Sequence, residues 1–348
     1  MSSSGGNLSH DRRGWFANFE PRGTYLPPRR IYCTEDMPFM LEHRLAKLAA
    51  LFAFLMLVIG GTVNATGSSL ACEWSVTCKG SLLPHMSGGV LFEHGHRMWG
   101  WVVGLLQIAL TVLLLKRRRD VRRLPWITLV MVLAQGTLGM LTVKYQLPWF
   151  ISTAHLLLGM GYVGVLVYVA YLTRPMMGPL PEEANRHQAR VAELGASRRW
   201  IGLALAVLVV QIFLGALVRH FEATLACLDM PACSLGDYWP TGFEHRLHMV
   251  HRGFGVLTAL VTIVAGVQLA RRARSWPRLR LLAILAPLVA CAQVTLGILT
   301  VLSLREVPVA VGHFAGATAL WGLWIGMWIM TGSGRRAMAG GDGAAVVP

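Results

Sequence analysis

Charge is scarce in this chain of 348 residues: only 14% of them are charged, against about 25% in a soluble domain. Acidic residues are scarcer still, 17 against 32 Lys and Arg. The scarcity of charge excludes an ordinary soluble globule of this length. Period-2 alternation of apolar and polar residues is absent too, which argues against a β-barrel. No short apolar core of signal-peptide type appears in the first 45 residues, so they read as a polar, Arg-rich tail. Cysteine is rare, at six, and no zinc-type set of thiolates and carboxylates falls inside the apolar runs. The broken-helix Gly and Pro signals of a transporter with a midplane site are also missing.

What is present in quantity is apolar sequence: 54% hydrophobic residues and a mean hydropathy of +0.52. It falls into eight runs, roughly 46–66, 94–115, 125–143, 151–173, 200–219, 250–270, 280–302 and 309–331. Each approaches the ~20 residues a helix needs to cross a bilayer core. The fold class expected is therefore an all-α integral membrane protein with eight transmembrane helices. The net charge of +15 is a topology signal and does not point to a nucleic-acid partner. Basic clusters occupy Arg12 to Lys47, 116–123, Arg174 to Arg199, 271–280 and Arg335-Arg336, that is, alternate connections and the termini. By the positive-inside rule both termini are cytoplasmic, and 67–92, 144–150, 220–248 and 303–308 are outside.

The chain repeats itself. AQGTLGMLTV (134–143) returns as AQVTLGILTV (292–301), and LAC at 70–72 returns at 225–227. The interval from Cys72 to His96 equals that from Cys227 to His251. The interval from Gln135 to His155 equals that from Gln293 to His313. The organisation expected is a tail at 1–45, a four-helix bundle at 46–173, a cytoplasmic linker at 174–199, a second bundle at 200–331 and a tail at 332–348. The two bundles are parallel repeats in tandem about a pseudo-twofold axis.

The repeat singles out four of the 12 histidines. His96 and His251 open the second helix of each unit, His155 and His313 the fourth. These helices run in the same direction, so each pair lies at one depth and can face across its bundle. Two imidazoles at one depth in an apolar bundle suit a bis-histidine haem, which takes an axial nitrogen on each face. The plainer alternative is a packed helix histidine bonded to a carbonyl, but intramembrane polar groups are costly and a repeat has placed these four. His10, His43, His85, His94, His187, His220 and His245 read as surface or loop residues, and His248 as intermediate.

Cys72 with Cys78, and Cys227 with Cys233, form two C-x5-C pairs in outer loops, where disulfides persist. Structural staples, redox-active pairs and metal ligands are the three readings, with staples preferred. Cys33 and Cys291 have no partner. Glu93 stands one helical turn before His96, where the second unit has His248 before His251. A carboxylate there can relay protons or stabilise developing charge, or merely favour the helix N-terminus. Arg97 and Arg252 follow the two histidines. They can reach haem carboxylates or snorkel to the interface.

Together, E-x-x-H-R at Glu93, His96 and Arg97, TGSSLACEWSVTC (66–78), LACLDMPAC (225–233), the Q-x-T-L-G helices, His155, His251 and His313 resemble the haem A synthase family. The resemblance covers about residues 46 to 331. It implies an eight-helix oxidoreductase of the bacterial inner membrane that oxidises the C8 methyl of haem O to a formyl group, giving haem A for cytochrome c oxidase. It further implies that His96 and His155 flank the substrate haem with Glu93 catalytic, while His251 and His313 ligate a permanent haem b. The Cys72–Cys78 pair is linked to activity in that family. Partners implied are the lipid bilayer, haem O synthase, cytochrome c oxidase assembly factors and an unidentified electron donor. The competing expectation is a di-haem b electron carrier, against which the Glu93/His248 asymmetry speaks.

Overall fold

In the computed structural model, residues 37–174, 194–195 and 197–339 are described. Eight helices follow in order: α1 (Met37–Ala65), α2 (Gly88–Arg117), α3 (Arg123–Lys144), α4 (Trp149–Leu172), α5 (Ser197–His220), α6 (Phe243–Arg272), α7 (Pro277–Leu302) and α8 (Val307–Ala339). All eight are long and apolar enough to cross a membrane. Among the described residues there is no strand, only an isolated bridge between Cys78 and Ser81. The protein is an all-helical, multi-pass membrane protein, as its composition dictates.

The helices outrun the apolar runs. α1 begins at Met37, not 46, so part of the expected tail is helix; α2 begins at Gly88 and α6 at Phe243, each a turn or more early. α8 continues to Ala339, into the expected C-terminal tail. Hydropathy sees only the bilayer core, whereas the hydrogen-bonded backbone continues into the interface. The added turn of α1 is anchored: Glu42 is buried beside Arg117 at 3.9 Å, and His43 Nδ1 donates to the Ala170 carbonyl at 2.9 Å. Lys116-Arg117 and Arg271-Arg272 close α2 and α6, where cations suit the helix dipole. Most of the tail at 1–36, most of the linker and 340–348 lie outside the described residues, with Cys33, His10 and His187.

Each half is a closed ring. α1 packs on α2, α2 on α3, α3 on α4 and α4 on α1; α5 to α8 repeat the circuit. α2 and α4 are thus diagonal across the first ring, and α6 and α8 across the second. The halves meet through α1 and α4 of one and α5 and α8 of the other. At this seam Trp321 Nε1 donates to the Met160 carbonyl at 2.8 Å. A Cβ on Gly61 would lie 2.6 Å from Phe314, so glycine sets that approach.

Packing is uneven along the axis. The apolar cores, around Leu110, Leu114 and Leu166 in one half and Leu269, Trp324 and Met327 in the other, fill the end nearest the linker. Lipid gives helices little hydrophobic reason to associate, so close approach of small residues and buried hydrogen bonds hold such bundles. The first half uses bonds: Gln107 donates to Thr111 and Thr128 and accepts from Tyr162, all at 2.8–2.9 Å. The second uses proximity: a Cβ on Gly266 would meet Pro287 and the Ala283 carbonyl within 2.7 Å. The opposite end, which carries the two disulfide loops, is left for the histidines.

Candidate haem sites

His96 and His155 project from α2 and α4, and His251 and His313 from α6 and α8, near the helix ends closest to the disulfide loops. Diagonal helices are therefore the ones that carry each pair. Every ring leans on a glycine of the neighbouring helix. A Cβ would come within 3.0 Å of His96 at Gly60, 3.2 Å of His155 at Gly139, 3.1 Å of His251 at Gly215 and 3.2 Å of His313 at Gly297. A methyl group at any of the four would push an imidazole inward. These glycines were not singled out from sequence, although Gly139 and Gly297 fall within the repeated T-L-G.

Hydrogen bonds orient the rings. His313 Nδ1 donates to the Gln293 carbonyl at 3.1 Å, which leaves the lone pair on Nε2. Gln211 Nε2 lies 3.1 Å from His251 Nδ1 and donates to the His251 carbonyl at 3.2 Å. Gln135 donates to the His155 carbonyl at 2.8 Å. None of the four Nε2 atoms has a hydrogen-bond partner among the described residues. His251 and His313 line one cavity of about 650 Å³, otherwise mostly apolar, whose wall includes Gly61, Asn64, Leu156 and Met160 of the first half. In the first half, His96 and His155 are within electrostatic reach of each other, and each has a buried Nδ1 without a partner. In the second half, paired imidazoles with open nitrogens over a mostly apolar cavity fit a bis-histidine haem in donor type; the first half repeats the donors.

Both cysteine-bearing loops carry the disulfides expected. Cys72–Cys78 has its Cα atoms 4.9 Å apart and Cys227–Cys233 4.6 Å. Cys291 is free and exposed. A short closed loop turns several carbonyls the same way and needs donors to satisfy them. Arg97 supplies these in the first half, donating to the carbonyls of Ser75 and Glu73 at 2.7 Å and of Thr77 at 3.2 Å. Arg252 does so in the second, donating to the carbonyls of Asp229 at 2.8 Å, Ala232 at 3.1 Å and Cys227. Both guanidinium groups thus clamp their loops, and Arg252 also lines the cavity, with its Nε buried and unpartnered.

Glu93 is buried in the second turn of α2. Its carboxylate accepts from the Cys72 amide at 2.8 Å and from Arg97 at 2.6 Å. In the second half the Cys227 amide donates instead to His248 Nδ1, at 3.4 Å. The residue one turn before each first histidine therefore touches its disulfide loop directly. Outside the membrane span, Glu73 organises the first loop: its carboxyl is drawn to about 2, first by the Lys79 amide and then by other loop amides and the Thr77 hydroxyl. His94 is not a surface residue. It is buried, with Nε2 donating to the Leu82 carbonyl at 2.9 Å and a ring nitrogen within 4.8 Å of both Cys72 and Cys78 sulfurs. Its place one residue after Glu93 on a helix that faces the loop was the available signal.

A family model described as cytochrome oxidase assembly protein matches residues 88–325. The chain is 26% identical to a heme A synthase of Bacillus licheniformis over 280 residues, 78% of this chain and 90% of that one. It is 32% identical to a heme A synthase of an Exiguobacterium strain over 224 residues, 63% of this chain and 69% of that one. It is 28% identical to a heme A synthase of Symbiobacterium thermophilum over 296 residues, 80% and 92% of the respective chains. With two-thirds of its length matched, across both rings of helices and all four paired histidines, the chain belongs to the COX15-CtaA family of cytochrome oxidase assembly proteins.

Proposed function

We propose that this chain is a haem A synthase of the bacterial cell membrane, which oxidises the C8 methyl group of haem O to the formyl group of haem A. In this reading haem O enters the first half as substrate, between His96 and His155, and a resident haem b sits in the second, between His251 and His313. The relatives' names support the product, and the paired imidazoles supply the ligands. Haem b, when bound, supplies a one-electron redox group next to the substrate site. The chain itself orients the substrate iron through His96 and His155, excludes water with an apolar wall, and holds a carboxylate at Glu93. Glu93 is the proton acceptor of the oxidation, set in place by the Cys72 amide and Arg97. Both disulfides close their loops over the sites. The basic ends of α2 and α6 and the linker face the cytoplasm with both termini.

The observation that carries this reading is the difference at one repeat position. A pure electron carrier has no use for Glu93 in one half and His248 in the other, whereas an enzyme with one reactive haem and one resident haem does. The test is expression of the full chain in cells supplying haem O, with extraction and chromatography of the bound haems. A formyl- or hydroxyl-bearing haem is expected, and Glu93→Gln should remove it while retaining haem b. Haem b alone, unchanged in Glu93→Gln, would establish a carrier.

A further inference from the structure

Two arginines at the disulfide end neither clamp a loop nor, among the described residues, form an ion pair with an acid. Arg219 sits in the last turn of α5, and Arg305 in the tight turn between α7 and α8, with a left-handed φ of 67°. Both line the cavity that holds His251 and His313. The two guanidinium groups are within electrostatic reach of each other, and Arg219, at the seam of the halves, also of His155. Neither has an acidic partner among the described residues: Arg219 Nε is buried with no hydrogen bond, and the one side-chain bond of Arg305 is donated to the Asn64 carbonyl at 3.1 Å. Two adjacent cations at the edge of an apolar cavity repel, and their dehydration is costly. A ligand that brings two negative charges removes both penalties. Guanidinium groups suit carboxylates in particular, pairing through parallel N–H donors.

We infer that Arg219 and Arg305 are a two-cation seat for the paired carboxylates of the porphyrin held between His251 and His313, and that the first half has no counterpart. This rests on the reading of the second half as the resident-haem site. Arg252, the cation that the motif suggested, also lines the cavity with a buried, unpartnered Nε, but its two terminal nitrogens donate to loop carbonyls. Repeat alignment places Asn64 opposite Arg219 and Leu147 opposite Arg305. The left-handed turn itself is duplicated, with φ of 58° and 64° at Gln146 and Leu147 against 52° and 67° at Leu304 and Arg305. The backbone is therefore shared and only the charges are new. A strongly seated haem stays, and one facing Asn64 and Leu147 in place of two cations is freer to leave. Lipid phosphate is a second anion that pairs with guanidinium, and the experiment separates the two.

Full-length protein, its haem removed, is titrated in detergent with haem b and with the dimethyl ester of haem b, which lacks the carboxylates. Wild type is expected to bind the free acid at least about tenfold more tightly than the ester, and Arg219→Gln/Arg305→Gln to lose that preference, with a lower haem midpoint potential. Arg219→Lys should retain part of it, and full ester binding by the double variant would verify its fold. Equal binding of acid and ester by wild type, or a preference unchanged in the double variant, would overturn the seat while leaving the His251/His313 site standing; lipid phosphate binding alone predicts that pattern. Loss of all haem binding in His251→Ala and none in the arginine variants would overturn it equally. If wild type binds neither compound, the resident-haem reading falls and the seat with it.

Discussion

The two halves share a backbone and differ in what surrounds the ligands. In each, diagonal helices present two histidines, each backed by a glycine, below a disulfide loop clamped by an arginine. The first half adds an acid, Glu93, where the second has His248. The second adds cations, Arg219 and Arg305, where the first has Asn64 and Leu147. Duplication thus preserved the paired imidazoles, and divergence changed the residues one layer out. The half with the carboxylate, and without cations at those two matching positions, suits a reacting, exchanging ligand. The half with the added cations suits one that remains.

The sharpest way to break this comparison is to remove one ligand from each half. His251→Ala should abolish the stable haem b signal. His96→Ala should abolish conversion of haem O while haem b remains, as read by extraction and reduced-minus-oxidised spectra. Equal loss of the same haem from both variants would end the division of labour. Next is the position one turn earlier. Glu93→Gln should lower conversion by about 100-fold or more if it is the proton acceptor. His248→Ala, at the matching place, should lower it by less than about tenfold. A similar fall in both would make the contact with the loop amide the only role of that position.

The fold was legible in the sequence to a greater depth than the site. Eight spans follow from apolar runs, and the four histidines and both disulfides from the repeat. The ends of α1, α2, α6 and α8 were not legible, because hydropathy falls off where the helix leaves the bilayer but the backbone bonds do not. His94 was missed because its burial depends on a loop folding back over α2. That Arg97 and Arg252 also clamp the loops was not legible, because their acceptors are loop carbonyls, which no side-chain pattern records. The glycines behind the imidazoles were hidden by a composition rich in glycine throughout, where Gly139 and Gly297 differ from their neighbours only by recurring.

Those glycines provide a subtler comparison. Gly297→Ala and Gly139→Ala each place a methyl 3.2 Å from a histidine Cε1. Contacts this short force a small ring shift, an overpacking strain of about 1–3 kcal/mol. Gly297→Ala should change the resident haem spectrum and potential with the haem still bound. Gly139→Ala should leave that spectrum alone and slow conversion several-fold. Matching spectral changes in both would mean that the imidazoles of the two halves do not serve separate haems.

The smallest expected effect concerns the loops. Glu73 lies in the first and gathers the amides of Lys79 and Gly80 at 2.8 and 3.2 Å. Its carboxyl falls from an ordinary 4.5 to about 2 in the folded protein, the Lys79 amide being the main cause. A depressed carboxyl stabilises the folded loop above its ordinary value, and that contribution fades as pH falls through the folded one. Between pH 4.5 and about 2, therefore, the Cys72–Cys78 loop should loosen progressively. In the second loop, Asp237 accepts only the Trp239 amide among the described residues. Phosphine reduction of the detergent-solubilised protein across this range should show Cys72–Cys78 gaining reactivity relative to Cys227–Cys233. Glu73→Gln should show the higher relative reactivity already at neutral pH and little further change on acidification. Parallel curves for the two disulfides, unaffected by Glu73→Gln, would show that Glu73 does not hold the loop and that the loops are equivalent in this respect.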